Sequence, residues 1–402
     1  MKVLLTHRYF VPDSSPYGVI LQIMAKELAA AGHEVSVFSS RPSYGRDVPH
    51  APGRERLGSF SVRRIGVLPE ASRNPLARVV NMAIYCVSLF FHTLTARADV
   101  VTACTFPPVL AAWSASLAAR LSGARFIYHM QDIHPEVSTY SGGRLGRGLP
   151  ALILRALDNQ TLRRADAIVT LSEDMADTLR ARGLGSLPIH VINNPPLETD
   201  GEPVAPPPDL AKREGTVRVI FAGNLGRFQN LPLLAEGVAQ CFDDHPELEL
   251  MFLGDGVALP ELKARWGDHP RVRFVPYLPF AQARGIIAGA DIGLVSLSPD
   301  IYRVAYPSKV STYLNLGLRI LALVESESQM ARELESRGTG VVPCNGTAAA
   351  VGQALKTLLA RKGPGAAGPN SMRGATQATW PALIEMLARS SGEISQIKTA
   401  QA

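Results

Sequence analysis

Short apolar runs of strand length alternate with stretches of helical period along most of this chain, and that rhythm leaves few folds open. Lys2–Thr6 is the first run, and residues 35–38 are the second. Between them Ile20, Ile23, Met24 and Leu28 keep helical spacing over 20–31, with Gly32 placed to close the helix. A strand, a helix and a second strand of this kind open a parallel sheet, because the crossover needs a helix. Residues 100–103, Arg125–His129 and Ala167–Thr170 continue the strands, with helices expected at 109–121 and 174–182. Residues 11–18 read as a loop.

The rhythm stops and starts again. An Asn-Asn-Pro-Pro run at 193–196 ends the first series, and the proline-rich segment 202–209 reads as a stiff linker. Val217–Ala222, Leu248–Leu253, Val272–Val275, 292–295 and 320–323 then repeat the pattern. The expected fold class is therefore α/β, with two Rossmann-like, doubly wound parallel-sheet domains. The first spans 1–200 and the second 210–365. A C-terminal helix and tail at 370–402 follow a Gly- and Pro-rich break and could pack back on the first domain. Two such domains would face each other across a cleft, with ligands beyond the carboxyl ends of the strands.

Composition narrows the function classes. Apolar residues make up 46% of the chain and charged residues 19%, a globular balance. Cys86, Cys104, Cys241 and Cys344 are scattered, with no paired-cysteine motif, which points away from a disulfide framework or a zinc site and toward a reducing cytoplasmic setting. The net charge of +6 lies in the first half: residues 1–199 hold 21 Lys and Arg against 15 Asp and Glu. Nine arginines fall between Arg41 and Arg97 (41, 46, 54, 56, 63, 64, 73, 78 and 97). A locally basic face suits an anionic membrane surface or a phosphorylated ligand, and an ordinary solvated surface is the plain alternative. Nucleic acid fits less well, since no aromatic-interleaved basic motif accompanies the arginines. The stretch 79–94 is apolar nearly throughout, interrupted by Asn81 and His92 and flanked by Arg73, Arg78 and Arg97. It is short for a spanning helix and fits either a helix lying in the membrane interface or a buried helix of the first domain.

Four segments carry the candidate chemistry, three of them loops directly after strands. The first, 222–230, holds Gly223, Asn224, Gly226 and Arg227 before a helix, a combination suited to a diphosphate, although two glycines can equally mark a structural turn. The second places Gly254 and Gly256 where backbone could approach a base or ribose. In the third, Pro307, Ser308 and Lys309 open a helix that Gly317 closes, and a lysine in a first turn calls for an anion. The fourth, 128–136, brings His129, Asp132, His134 and Glu136 together, able to transfer protons or simply to hydrogen-bond within the loop.

In order and spacing these segments resemble family 4 of the retaining glycosyltransferases, in the branch that builds O-antigen, colanic-acid and exopolysaccharide units. The resemblance rests on Tyr9–Pro12 after the first strand, the Ala-Ala-Gly-His-Glu-Val run at 30–35, the Gln-Asp-Ile-His-Pro-Glu run at 131–136, residues 169–172 and 191–194, and the three loops of the second half. It runs from Met1 to about Leu387. It implies a GT-B fold, a nucleotide-diphospho-sugar donor (usually a UDP-sugar) and a hexosyl- or N-acetylhexosaminyl-type transfer. It implies a glycan or polyprenyl-diphosphate-linked acceptor and no bound metal or other cofactor. Arg227 and Lys309 would hold the diphosphate, with Gly223, Asn224, Gly254, Gly256, Ser308 and Thr312 completing the donor site. Asp132 and His134 would stand beside the reacting sugar, with Tyr17, Gly18 and Glu136 in the acceptor or phosphate loop. The chain would work in the cytoplasm, peripheral on the inner face of the cell membrane.

Two positions depart from that pattern. The family usually carries acidic residues where Val304 and Thr312 stand here, and a threonine cannot replace the charged, bidentate grip of a carboxylate. A non-catalytic scaffold or nucleotide-sugar-binding relative, and a sugar-nucleotide epimerase, are the alternatives this leaves.

Overall fold

The structure, a computed structural model, describes residues 1–13, 15–43, 50–68, 75–140, 146–197, 204–226, 229–361 and 379–389. The chain divides into two compact units, one of Met1–Pro195 with Gln377–Ala402, the other of Pro196–Thr376.

The first unit is built on β1 (Lys2–Thr6), β2 (Glu34–Ser40), β3 (Arg54–Leu57), β4 (Phe60–Ile65), β5 (Val100–Cys104), β6 (Arg125–His129), β7 (Ala167–Thr170) and β8 (Ile189–Val191). They form one sheet in the order β3-β4-β2-β1-β5-β6-β7-β8. Every pairing is parallel except β3 with β4. β5 and β7 are buried at every residue, as a parallel sheet covered on both faces requires. The helices are α1 (Pro16–Ala30), α2 (Pro75–Thr95), α3 (Leu110–Ser122), α4 (Glu136–Tyr140), α5 (Gly148–Arg164) and α6 (Glu173–Arg180).

Some local expectations change. α1 starts at Pro16, with proline at its first turn, so Tyr17 and Gly18 belong to a helix and not to the loop expected over 11–18. The arginine-rich stretch 54–65 hides a hairpin. Phe60, Val62 and Arg64 point inward by strand alternation, and the two residues Gly58 and Ser59 make the turn. Arg64 is therefore buried: it pairs with Glu55 and donates to the carbonyls of Val11 (2.7 Å) and Pro52 (3.2 Å). It leaves the basic surface, whereas Arg41, Arg54, Arg56, Arg63, Arg78 and Arg97 stay exposed. Arg46 and Arg73 lie outside the described residues.

The second unit repeats the plan with β9 (Val217–Ala222), β10 (Leu248–Leu253), β11 (Val272–Val275), β12 (Ile292–Ser296), β13 (Arg319–Leu323) and β14 (Gly340–Val341). The order β11-β10-β9-β12-β13-β14, parallel throughout, is the doubly wound order in which the chain reverses direction between β9 and β12. Its helices are α7 (Leu231–Ala239), α8 (Leu259–Trp266), α9 (Phe280–Ala288), α10 (Lys309–Asn315), α11 (Gln329–Ser336) and α12 (Ala348–Ala360). Phe221, Leu234, Leu250, Phe252, Leu321 and Leu355 share one apolar core beneath the sheet ends that carry the candidate site. A last helix, 380–389, puts Trp380 edge-on against His129 of the first unit, ring centres 4.8 Å apart.

Candidate functional site

In the second unit the loops leaving β9 and β10 are laced together. Gly223 N donates to Leu253 O (2.9 Å), Leu225 N to Asp255 O (2.9 Å) and Ala258 N to Leu225 O (3.0 Å). This close approach explains Gly254. It holds φ +141°, and a Cβ there would stand 2.0 Å from Gly223 O. Gly256 serves likewise against Leu225 O, at 2.3 Å. Gly223 and Asn224 remain exposed at the tip.

Lys309 arrives at the same place from the first residue of α10. A Cβ on Gly223 would have Lys309 Nζ at 4.0 Å, and that Nζ sits 3.3 Å from the centre of the Phe221 ring. The nitrogen is buried and meets no hydrogen-bond partner among the described residues. Burial lowers its pKa from 10.5 to about 7. A desolvated amine beside glycine backbone, at the reversal point of a doubly wound sheet, is suited to receive an anion, which favours its protonated form. Tyr313, one turn on, fixes the helix to the strand: its hydroxyl accepts from Ala222 N at 2.8 Å, and its ring fills the space that the missing side chain of Gly293 leaves. Ser308 caps α10 without a side-chain hydrogen bond. Thr312 is buried and Val304 wholly so. A carboxylate at 304 would be stripped of water, which costs several kcal/mol without a partner. The acids nearby act on the loop itself, Glu325 accepting from Asp300 N (2.6 Å) and Asp300 from Arg303 Nε (3.1 Å). Arg227 lies outside the described residues.

In the first unit the residues after β6 separate into two groups. Tyr17 Oη is 2.8 Å from His129 Nδ1, His129 Nε2 is 2.8 Å from Gln131 Nε2, and Asn194 Nδ2 donates to Gln131 Oε1 at 2.7 Å. Burial holds His129 neutral, its pKa down to about 3. Asp132 follows this chain, its N–H donating to Thr105 Oγ1 (3.3 Å), and burial raises its carboxyl to about 6. His134 is likewise neutral, lowered to about 4 chiefly by burial, and its Nδ1 has no partner among the described residues. Glu136 faces elsewhere. It is held bidentate by Arg182 (3.0 and 2.7 Å), which also binds Asp158 (2.5 Å) and His134 O (2.9 Å). Tyr128 donates to the other Asp158 oxygen at 2.7 Å. Glu136 thus anchors the segment that carries Asp132 and His134. Gly18 lets α1 lie against the backbone of Tyr9 and Phe10, 3.2 and 3.3 Å from where a Cβ would be.

Sequence reasoning missed Phe221, Tyr313, Arg182, Asp158 and Trp380. Tyr313 had a local signal, four residues after Lys309 on one helix face. The others meet the site only through long-range packing.

Residues 17–195 match the family described as "Glycosyl transferase 4-like domain". A putative colanic acid biosynthesis glycosyl transferase, WcaI, of Escherichia coli is 22% identical over 84% of this chain and 86% of its own. A probable glycosyltransferase, WbjE, of Pseudomonas aeruginosa is 25% identical over 68% and 70%. Among solved structures, sucrose-phosphate synthase of Thermosynechococcus elongatus superposes with TM-score 0.67 at 14% identity over all of both chains. Anabaena HepE in complex with UDP-glucose superposes with TM-score 0.58 at 17% identity over 90% of each. With the family match over residues 17–195, two relatives that run through both units and a GT-B fold shared with solved structures, the chain is similar to the glycosyltransferases of the colanic-acid and O-antigen branch.

Proposed function

We propose that this chain is a retaining glycosyltransferase of polysaccharide biosynthesis, moving a hexosyl or N-acetylhexosaminyl group from a UDP-sugar to a glycan or polyprenyl-diphosphate-linked acceptor. The observation that carries the reading is Lys309, a buried ammonium with no hydrogen-bond partner among the described residues, set against the Gly223 loop. As the bond from the anomeric carbon to the diphosphate breaks, its electron pair stays on the leaving phosphate. A cation already stripped of water stabilises that charge at no cost in solvent reorganisation. Arg227 supplies a second cation from the same loop, and Gly223, Asn224, Gly254, Gly256, Ser308 and Thr312 complete the donor site. Asp132 and His134 stand beside the reacting sugar, with Tyr17 and Gly18 toward the acceptor, while Glu136 positions their segment through Arg182. No metal is needed for this charge balance. HepE in complex with UDP-glucose supports the donor class, and the relative named for colanic acid biosynthesis supports the pathway class.

The test is a thermal-shift panel of nucleotides and nucleotide sugars, followed by nucleoside diphosphate release with and without acceptor. UDP-sugars should stabilise the fold, Lys309→Ala should abolish that shift and transfer while remaining folded, and release should require acceptor. No stabilisation by any donor would favour a scaffold, the reading that Val304 and Thr312 leave in view. Interconversion of the nucleotide sugar without acceptor would favour an epimerase.

A further inference from the structure

Helices α2, α3 and α5 lie side by side against the first unit's sheet, α3 packed on both neighbours. Their outward residues are not those of a water-facing layer, which is normally polar and of mixed charge. On α2, Leu76, Val79, Val80, Val87 and Phe91 are exposed while Asn81, Tyr85, Leu89 and Thr93 turn inward. On α5, Leu149, Leu152 and Ile153 are exposed, two of them by more than 65%. The three helices carry no exposed carboxylate. Their one acidic residue, Asp158, is buried and bound by Arg182. Arg78, Arg120 and Arg163 are exposed on the same helices.

By length and composition the segment Leu76–Thr95 could cross a membrane, but its inner side is tied to the fold. The Asn81 side chain bonds both backbone groups of Leu68 (2.8 and 2.9 Å), Ser114 Oγ donates to Cys86 O (2.7 Å), and Phe38 stacks on His92 with ring centres 4.4 Å apart. The helix is therefore held broadside, with only its outer face free to enter an apolar medium.

We propose that this three-helix face docks on an anionic lipid bilayer, with α2 and α5 lying in the interface plane and the arginines on headgroup phosphates. Charge complementarity selects that occupant. A second copy of the same face would bring arginine against arginine with no carboxylate between them, whereas an anionic surface meets both the apolar residues and the charge. The inference would bring the enzyme to a lipid-linked acceptor, yet it rests on this face alone and needs no donor or acceptor to be tested.

Flotation of the full chain with phosphatidylglycerol-containing vesicles, against pure phosphatidylcholine, reads it directly. Binding is expected to the anionic vesicles at about 0.05 M salt and to weaken strongly at about 1 M. Val87→Glu with Phe91→Glu, and separately Leu152→Glu with Ile153→Glu, should each weaken binding at least ~10-fold while the melting temperature and donor-induced thermal shift stay unchanged. Absence of vesicle binding, or equal binding by both double variants, would overturn the proposal. So would light scattering showing a wild-type dimer that either double variant converts to monomers without loss of vesicle binding, which would make the face a contact between copies.

Discussion

Replacing Lys309 with methionine keeps the apolar stem and removes the charge, and the structure says what that should do to stability. Burial holds the ammonium at about 7, against 10.5 for the free side chain. At ~1.4 kcal/mol per pKa unit, the folded protein pays about 5 kcal/mol to keep this group protonated. The sign follows from the order of the two values. Above the unfolded pKa both states are neutral and nothing is lost. As pH falls from 10.5 toward 7 the unfolded chain takes up a proton that the folded one refuses, so wild-type stability drops; below 7 the loss is complete and constant. Lys309→Met should therefore be more stable than wild type near pH 7, with a gain that vanishes as pH approaches 10.5. The Phe221 ring, 3.3 Å from Nζ, returns part of the cost, so about 5 kcal/mol is a ceiling. Denaturant unfolding of both proteins across this pH range measures the difference. A variant less stable than wild type near neutrality, or a gap that does not shrink as pH rises, would refute the reasoning. The same logic predicts proton uptake by the wild type. At pH 8 a group of pKa about 7 holds only ~0.1 proton, and an arriving diphosphate should refill it, taking up as much as ~0.9 proton. Calorimetry in buffers of differing ionisation enthalpy counts that proton, and Lys309→Met should abolish the uptake.

Arg182→Leu strands the buried carboxylate of Asp158 together with Glu136, and should lose about 3–5 kcal/mol in denaturant unfolding. Asp132 is raised to about 6, above its unfolded value of 3.8, so wild-type stability should fall as pH rises through that interval. Asp132→Asn should flatten that slope in pH-dependent melts and lower kcat ~100-fold or more in a transfer assay. Gly254→Ala forces a Cβ to 2.0 Å from Gly223 O at φ +141°, and should cost about 2 kcal/mol or more in unfolding and erase the donor-induced thermal shift.

Apart from the short, partly buried β8 and β14, the central parallel strands of both units were legible because runs such as β5 and β10 are buried at every residue and so are near-continuously apolar. The β3–β4 hairpin was not, because it mixes arginines into both faces and buries one of them, Arg64, behind a partner that only the fold supplies. The start of α1 was misplaced for a related reason. Two prolines and a glycine between residues 12 and 18 look like loop, yet Pro16 suits a first helical turn and Gly18 answers close backbone packing. The candidate donor segments showed themselves as glycines directly after strands and a lysine opening a helix. What could not be read was that Lys309 lies on Phe221, 88 positions earlier, since that contact exists only once β9 and β12 are neighbours.

The two titratable groups at the strand ends share a physical argument despite opposite charge. Lys309 and Asp132 are each pushed toward neutrality, and in both cases by burial. Arg182, Asp158 and Glu136 show the other way of treating buried charge, with each ion matched by partners at 2.5–3.0 Å. A sequence that can build that network and leaves Lys309 without such a pairing among the described residues keeps a cost that packing alone would remove. Structural groups are satisfied within the fold; a group whose cost is relieved only by an incoming ligand is poised for that ligand. At Lys309 the proposed relief is an anion, bound beside the exposed backbone of Gly223.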